Sequence, residues 1–347
     1  MAKILYSVCG DGSGHATRSL EIIKRLKFEG HDLKVVSFDT GYEYLSKHFL
    51  VEQISGLRLK YKDNQIKYFQ TVVGSALKMP KYLKSLSKLS TLVDDFQPDL
   101  IITDFEPLAA VVAERKELNF ISIDNQHLIT DFKIDYPEQN WFSALSARKY
   151  INCFFSKAKR NLVFSFFSVA VINKKSILIP PIIRSEILTK QPTKGDHILV
   201  YLTSFFTGLI DILKEINFQF IVYGLGDRKS EKNIIFKTPD SQGFANDLVS
   251  CRAVIANAGF ALISESIYLH KPYLACPVKG QFEQILNAYY LEKLGYGDYS
   301  ESLDREKIIQ FLSCSSVYQE NYKKRTFQPP EKSLVRVIEE INKELSS

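Results

Sequence analysis

Several things are scarce in this sequence, and each scarcity excludes a class of protein. Its five cysteines, Cys9, Cys153, Cys251, Cys276 and Cys314, are scattered, form no Cys-x-x-Cys and cannot all pair. That excludes a disulfide-stapled scaffold, and the residues read as reduced thiols of a cytoplasmic protein. No apolar run reaches the roughly 18 residues needed to cross a bilayer. The first eleven residues have too short an apolar core for a signal peptide and meet an acid, Asp11, too soon. No repeat of fixed period, low-complexity segment or nucleic-acid recognition motif is found, so no nucleic-acid partner is expected. What remains is an ordinary globular composition, 45% hydrophobic and 24% charged over 347 residues. A chain of that length is expected to form two domains, each burying its own core.

Acid is missing in one region. From Gln139 to Ser185 there is none, among many aromatics, and between Arg58 and Lys88 eight basic residues face a single acid, Asp63. The formal net charge of +6 therefore falls wholly within residues 1–180, while residues 181–347 hold equal numbers of both signs.

Short β-branched runs alternate with segments of helical period, the pattern of βαβ units and parallel sheets. Ile4–Val8, Leu33–Phe38, Leu100–Thr103 and Phe120–Ile123 read as strands of a first half. Ile198–Thr203, Phe218–Tyr223, Ala253–Ala256 and Tyr273–Cys276 read as strands of a second. Pro180-Pro181, within Leu178–Ile187, marks the join. The expectation is an α/β protein of two Rossmann-like domains, 1–180 and 181–347, facing across a cleft. Ligands in such sheets bind at the carboxyl ends of the strands.

Gly10-Asp11-Gly12-Ser13-Gly14-His15 directly follows the first strand and opens a helix. Glycines allow close backbone approach, and a helix start offers N–H groups to negative charge. The spacing is not the G-x-G-x-x-G of a dinucleotide site, although Asp39 after the second strand keeps an oxidoreductase in view. At the helix start the dipole favours the neutral imidazole, which suits His15 as a general base on a hydroxyl. The alternative is a histidine that merely packs on the loop.

The second half carries a longer constellation. It runs Asn257-Ala258-Gly259-Phe260-Ala261-Leu262-Ile263-Ser264-Glu265, His270-Lys271-Pro272, Pro277-Val278-Lys279-Gly280-Gln281-Phe282-Glu283-Gln284 and Asn287-Ala288. A strand, a glycine turn and a helix place Glu265 to accept two hydroxyl hydrogen bonds, as from a ribose. Glu283 beside Gln284 mixes acceptors with donors, as a sugar's hydroxyls require. Each residue alone could be a solvated helix position; together they are far more specific.

These motifs resemble the donor-binding signature of GT-B glycosyltransferases. The chain is similar to the lipid-II N-acetylglucosaminyltransferase and UDP-glycosyltransferase group, and most of all to a bacterial and archaeal branch that begins with a Gly-x-Gly-x-Gly-His loop. The resemblance spans the first loop, the linker at Arg184 and the donor motif. It implies that His15 deprotonates the acceptor and Glu265 binds the ribose of a uridine nucleotide. Glu283 and Gln284 would hold the transferred sugar. Gly259, with the helix start behind it, would meet the diphosphate, and Gly14 would be a further donor-binding residue. Gly243 and Phe244, ahead of a helix, would hold the base, with Thr203 and Ser204 facing the same cleft. The family often has His or Arg near position 257. Asn257 brings no charge, which Lys279, Arg184 or the helix dipole would have to supply. Asp124-Asn125-Gln126-His127 stands where the lipid-II enzyme has His-Glu-Gln-Asn, so its acceptor recognition does not carry over.

By the same resemblance the reaction would be inverting, with no metal and no cofactor beyond the nucleotide-sugar substrate. Asp11, Asp104 and Glu106 are rivals or partners of His15, and Asp104 could orient it or instead cap a helix. The last helix could pack back on the first domain. Leu77, Leu83, Leu86 and Leu89 alternating with Lys78, Lys81, Lys84 and Lys88 suggest an amphipathic helix with a cationic face. That would suit an anionic membrane surface and a lipid-linked or cell-envelope acceptor, reached from the inner face. The competing readings are a UDP-sugar 2-epimerase of the same fold and a nucleotide-sugar-binding protein without turnover.

Overall fold

The computed structural model describes residues 1–56, 61–62, 65–66, 79–202, 208–226, 228–238, 241–324 and 330–346. Seven strands form the first sheet: β1 (Lys3–Val8), β2 (Asp32–Ser37), β3 (Val51–Gln53), β4 (Leu100–Asp104), β5 (Phe120–Asp124), β6 (Arg160–Phe164) and β7 (Ser176–Ile179). All pair in parallel, in the order β7-β6-β5-β4-β1-β2-β3. The second sheet is built from β8 (His197–Tyr201), β9 (Gln219–Tyr223), β10 (Ile234–Lys237), β11 (Ala253–Ala256), β12 (Tyr273–Ala275) and β13 (Gly297–Tyr299). It is parallel throughout, in the order β10-β9-β8-β11-β12-β13.

Each sheet thus winds outward in both directions from its first strand, the doubly wound order. The reason lies in the strands' composition. Ile4, Tyr6 and Val8 enter one core with Leu20, Ile102 and Ile121, while Leu5 enters another with Val36 and Ile101. Alternate side chains point to opposite faces, so a strand with apolar residues on both faces needs helices on both sides. In the second half Leu199 and Val254 fill one core, Ile198 and Ile255 the other.

Eight helices recur below: α1 (Gly14–Phe28), α2 (Met79–Phe96), α3 (Pro107–Arg115), α4 (Trp141–Phe155), α5 (Ser241–Ser250), α6 (Phe260–Tyr268), α7 (Phe282–Lys293) and α8 (Pro330–Leu345). α8 crosses back to the first half, where Val337, Ile338 and Ile341 join the core of Ile4 and Tyr6. Arg160 Nε to Glu344 Oε1 at 2.7 Å pins its far end.

Two sequence readings need correction. In α2 the inward face is Tyr82, Leu89, Val93 and Phe96; Leu83, expected there, is 57% exposed beside Lys81 and Lys84. The core beneath α3 and α4 sets that register, which a count of leucines could not reveal. Leu77 and Lys78 lie outside the described residues. Gly243 and Phe244 do not precede a helix but sit inside the first turn of α5. Among the described residues no helix is long and apolar enough to cross a membrane.

Candidate active site

β1 and β4 lie side by side with Val8 opposite Asp104, so the order of the first sheet turns where these carboxyl ends open. The loop Cys9–Ser13 leaves β1, folds under Phe38 and enters α1. A side chain at Gly10 would stand 1.8 Å from the Phe38 carbonyl oxygen, so only glycine fits the turn. His15 is the second residue of α1 and is mostly covered.

Asp104 is completely buried and surrounded by donors. His15 Nδ1 stands 2.6 Å from Oδ1, Arg18 Nη2 2.5 Å from Oδ1, Arg18 Nε 2.8 Å from Oδ2, and Ser19 Oγ 2.7 Å from Oδ2. Burial pushes this carboxyl up, but the charges and hydrogen bonds of Arg18 and His15 outweigh it and hold it at about 2. An ionised carboxylate can only accept, so the His15 Nδ1 that faces it carries a hydrogen, and Arg18 Nη2 stands 2.8 Å from that same Nδ1. Phe105, held at φ +54° in the turn after β4, stacks on the His15 ring at 6.1 Å and 9°. That left-handed conformation is strained for a phenylalanine.

Asp104 does not cap a helix. Glu106 takes that part, accepting from the amides of Leu108 at 3.0 Å and Ala109 at 2.8 Å at the start of α3, and from Ser7 Oγ at 2.9 Å. Burial, only partly offset by these bonds, pushes the Glu106 carboxyl up. Asp11 stays in the glycine loop, where burial first and then the Asp11 charge push the Cys9 thiol up.

The turn after β5 completes the first-half side. Asp124 accepts from Ser122 Oγ and from both the amide and Nδ1 of His127, which pins Asn125 and Gln126 between them. Burial disfavours a charged His127, but Asp124 outweighs it and the imidazole is pushed up. Asn125 Oδ1 takes Arg18 Nη1 at 3.0 Å, so its Nδ2 is turned outward to Glu283 Oε1, also at 3.0 Å. Gln126 Nε2 lies 2.8 Å from Glu283 Oε2 and 3.4 Å from His15 Nε2.

Glu283 belongs to the first turn of α7 in the second half, so this network crosses the cleft. The halves also meet where Gly14 faces Ala261 of α6; a side chain at Gly14 would stand 3.4 Å from the Ala261 Cβ. Glu265, 4% exposed, is held by Arg184 through a double ion pair at 2.5 and 2.7 Å. Arg184 therefore points at Glu265, and Lys279 lies exposed on the turn before α7. The Asn257 side chain binds the Cys276 carbonyl at 2.9 Å. The Gly259 amide bonds back to the Asn257 carbonyl at 2.8 Å, just before α6. Gln284 Oε1 accepts from the Val278 amide at 2.9 Å. Phe244 packs edge-on against Tyr201 and Tyr223. Thr203 and Ser204 lie outside the described residues. Among the described residues no group of three His, Cys, Asp or Glu could hold a metal ion.

Arg18, Ser19, Asn125 and Gln126 were not singled out as site residues from the sequence. Arg18 carried one signal: three residues after His15 on a helix, it shares the histidine's face.

Two parallel doubly wound sheets that meet at their carboxyl ends define the glycosyltransferase fold known as GT-B. Solved structures bear this out: the chain is similar to a Polygonum tinctorium UDP-glucosyltransferase (TM-score 0.67, 14% identity, 100% and 99% of the two chains covered). It is similar also to a calicheamicin glycosyltransferase (0.65, 15%, 100% and 98%) and to MurG of Acinetobacter baumannii (0.59, 13%, 99% and 100%). By sequence it is 23% identical to an uncharacterised glycosyltransferase of Methanosarcina acetivorans, over 85% of this chain and 84% of that one. It is 24% identical to another from Methanosarcina mazei, with the same coverage. Residues 2–315 match the model of glycosyl transferase family 1, and the chain belongs to that family. It is therefore a glycosyltransferase, an enzyme that passes a sugar from a donor to an acceptor.

Proposed function

We propose that this glycosyltransferase inverts the anomeric centre, taking a sugar from a uridine diphosphate donor to an acceptor hydroxyl with His15 as general base. The observation that carries the reading is the 2.6 Å contact of His15 Nδ1 with the buried, ionised Asp104, which leaves Nε2 as the proton acceptor at the cleft. The acceptor O–H proton passes to Nε2 as its oxygen attacks the anomeric carbon. The bond from that carbon to the diphosphate oxygen breaks, and the nucleoside diphosphate leaves with the electron pair. First-turn amides of α6 stabilise the charge that develops there, in place of a metal. Glu283 and Gln284, at the start of α7, hold the transferred sugar, and Glu265, oriented by Arg184, meets the ribose. Gly14 and Gly259 border the diphosphate, with Gly243, Phe244 and Asn257 on the nucleotide side; Thr203 and Ser204 complete this reading. Asp11 remains a candidate partner of the base. No cofactor is called on besides the donor.

The basic surplus lies on the acceptor half, and the exposed lysines of α2 support an acceptor that is lipid-linked or part of the cell envelope, met at the inner face of a membrane. In the test, H15A abolishes transfer while uridine nucleotides still raise its melting temperature as in the parent protein. Normal transfer by H15A would eliminate the base assignment. Appearance of a new sugar from UDP-N-acetylglucosamine without any acceptor would identify an epimerase instead.

A further inference from the structure

Asp104 is more elaborately satisfied than a carboxylate that merely steadies a histidine needs to be. Besides His15 it receives two N–H groups of one guanidinium and the Ser19 hydroxyl, inside a fully buried site. Arg18 is itself buried, lies over the Phe164 ring at 5.5 Å, gives Nη1 to Asn125 and holds Nη2 2.8 Å from His15 Nδ1. We propose that Arg18 is a positioning residue for the base: its permanent charge neutralises Asp104, so the carboxylate can orient His15 without holding it as an imidazolium. The inference rests on the reading of His15 as the base.

The physical argument is a balance of charge in a site sheltered from water. A lone carboxylate 2.6 Å from an imidazole favours the protonated ring, because opposite charges stabilise one another strongly where solvent cannot screen them. A protonated ring has no lone pair and accepts nothing. Pairing the carboxylate with a guanidinium, which never loses its proton, removes most of that bias but leaves the hydrogen bond. The bias would be large here, because Asp104 touches His15 inside the buried site and Glu283 reaches it through Gln126. Asp104 comes from β4 and Glu283 from α7, while Asp124 at the end of β5 acts on Arg18 and Asp11 of the glycine loop acts on Cys9. Glu106 lies beyond Phe105 but is bound by the helix amides, and Asp124 is already paired with His127. Cys9 and Tyr6 on the β1 side stay uncharged, since burial pushes both up. The cation set against Asp104 is Arg18.

The experiment compares the parent protein with R18M, R18K and H15A. It follows kcat/KM against pH and, separately, the titration of His15 by NMR of histidine-labelled protein, with H15A identifying the resonance. In R18M the acid limb of kcat/KM and the His15 titration both move up by about 1–2 pH units. Activity at about pH 6 falls roughly tenfold or more and recovers as the pH rises. R18K, which keeps the charge, stays close to the parent. A purely structural role would lower stability and leave both curves where they were, and that result in folded R18M overturns the proposal. If R18M does not fold, R18Q keeps donors without charge and carries the same expectation; an unmoved His15 titration in R18Q overturns it equally. Should H15A retain transfer, the base reading fails on its own, while the NMR titration still decides whether Arg18 governs the charge of His15.

Discussion

Asp104 keeps its charge inside the protein because His15, Arg18 and Ser19 supply four hydrogen bonds that water would otherwise have made. Its folded value of about 2 lies below the ordinary 3.8. The sign follows: the stability this group contributes is fully present above about pH 4 and is lost as the pH falls towards 2. D104N keeps the shape but leaves the Arg18 charge buried without a counter-ion, at a cost of about 3 kcal/mol at neutral pH. Urea unfolding at neutral pH should show that loss, and the gap between D104N and parent should narrow on acidification. A gap independent of pH would mean that the ion pair is not its source. The acid itself was legible in the sequence, since it follows a strand that must end at the cleft. Arg18 was not, because an arginine on a helix is ordinarily a solvated residue, and only the position of β4 reveals what it touches. Glu265 shows the same limit: its place on a helix after a strand and a glycine turn was readable, but the double ion pair to Arg184 was not.

At the scale of elements, period and punctuation located the strands that flank the site to within a residue or two. β3, β6, β7, β10 and β13 escaped notice, most of them short strands outside the long apolar runs. The facing of α2 was misjudged for a related reason. Its apolar residues exceed what its core contact needs, so the sequence offers more than one stripe and packing selects Tyr82, Leu89, Val93 and Phe96. The outer face shows Lys81, Lys84 and Leu83, while Lys88 pairs with Glu52 at 2.7 Å. If this face rests on lipid, the protein sediments with vesicles containing anionic lipid and not with neutral ones. Replacing Lys81 and Lys84 together by alanine should then weaken binding roughly thirtyfold, at about 1 kcal/mol for each basic residue. Sedimentation indifferent to anionic lipid would remove the membrane from the proposed function.

The whole molecule adds connections that no element contains. α8 is far along the chain from β1, yet Val337, Ile338 and Ile341 close the core over Ile4 and Tyr6. I341A should therefore destabilise the protein by about 2–5 kcal/mol in denaturant unfolding. A loss of a few tenths would show that α8 is only loosely attached. Across the cleft, Glu283 meets Asn125 and Gln126, and the Tyr290 ring lies flat on Phe167 at 3.7 Å. The first two contacts join the halves in a polar network, and the ring stack joins them through apolar packing.

Sequence alone determined the two parallel sheets, the glycine turn beneath His15 and the order of strand, glycine turn and helix from Asn257 to Glu265. All of these follow from local periodicity and from the few residues that tolerate a given backbone turn. Tertiary structure alone decided which face of α2 is buried, that Glu106 rather than Asp104 caps a helix, and that Arg18, Asn125 and Gln126 link His15 to Glu283. A buried charge is settled by its partners, and here those partners come from chain segments roughly a hundred residues or more away.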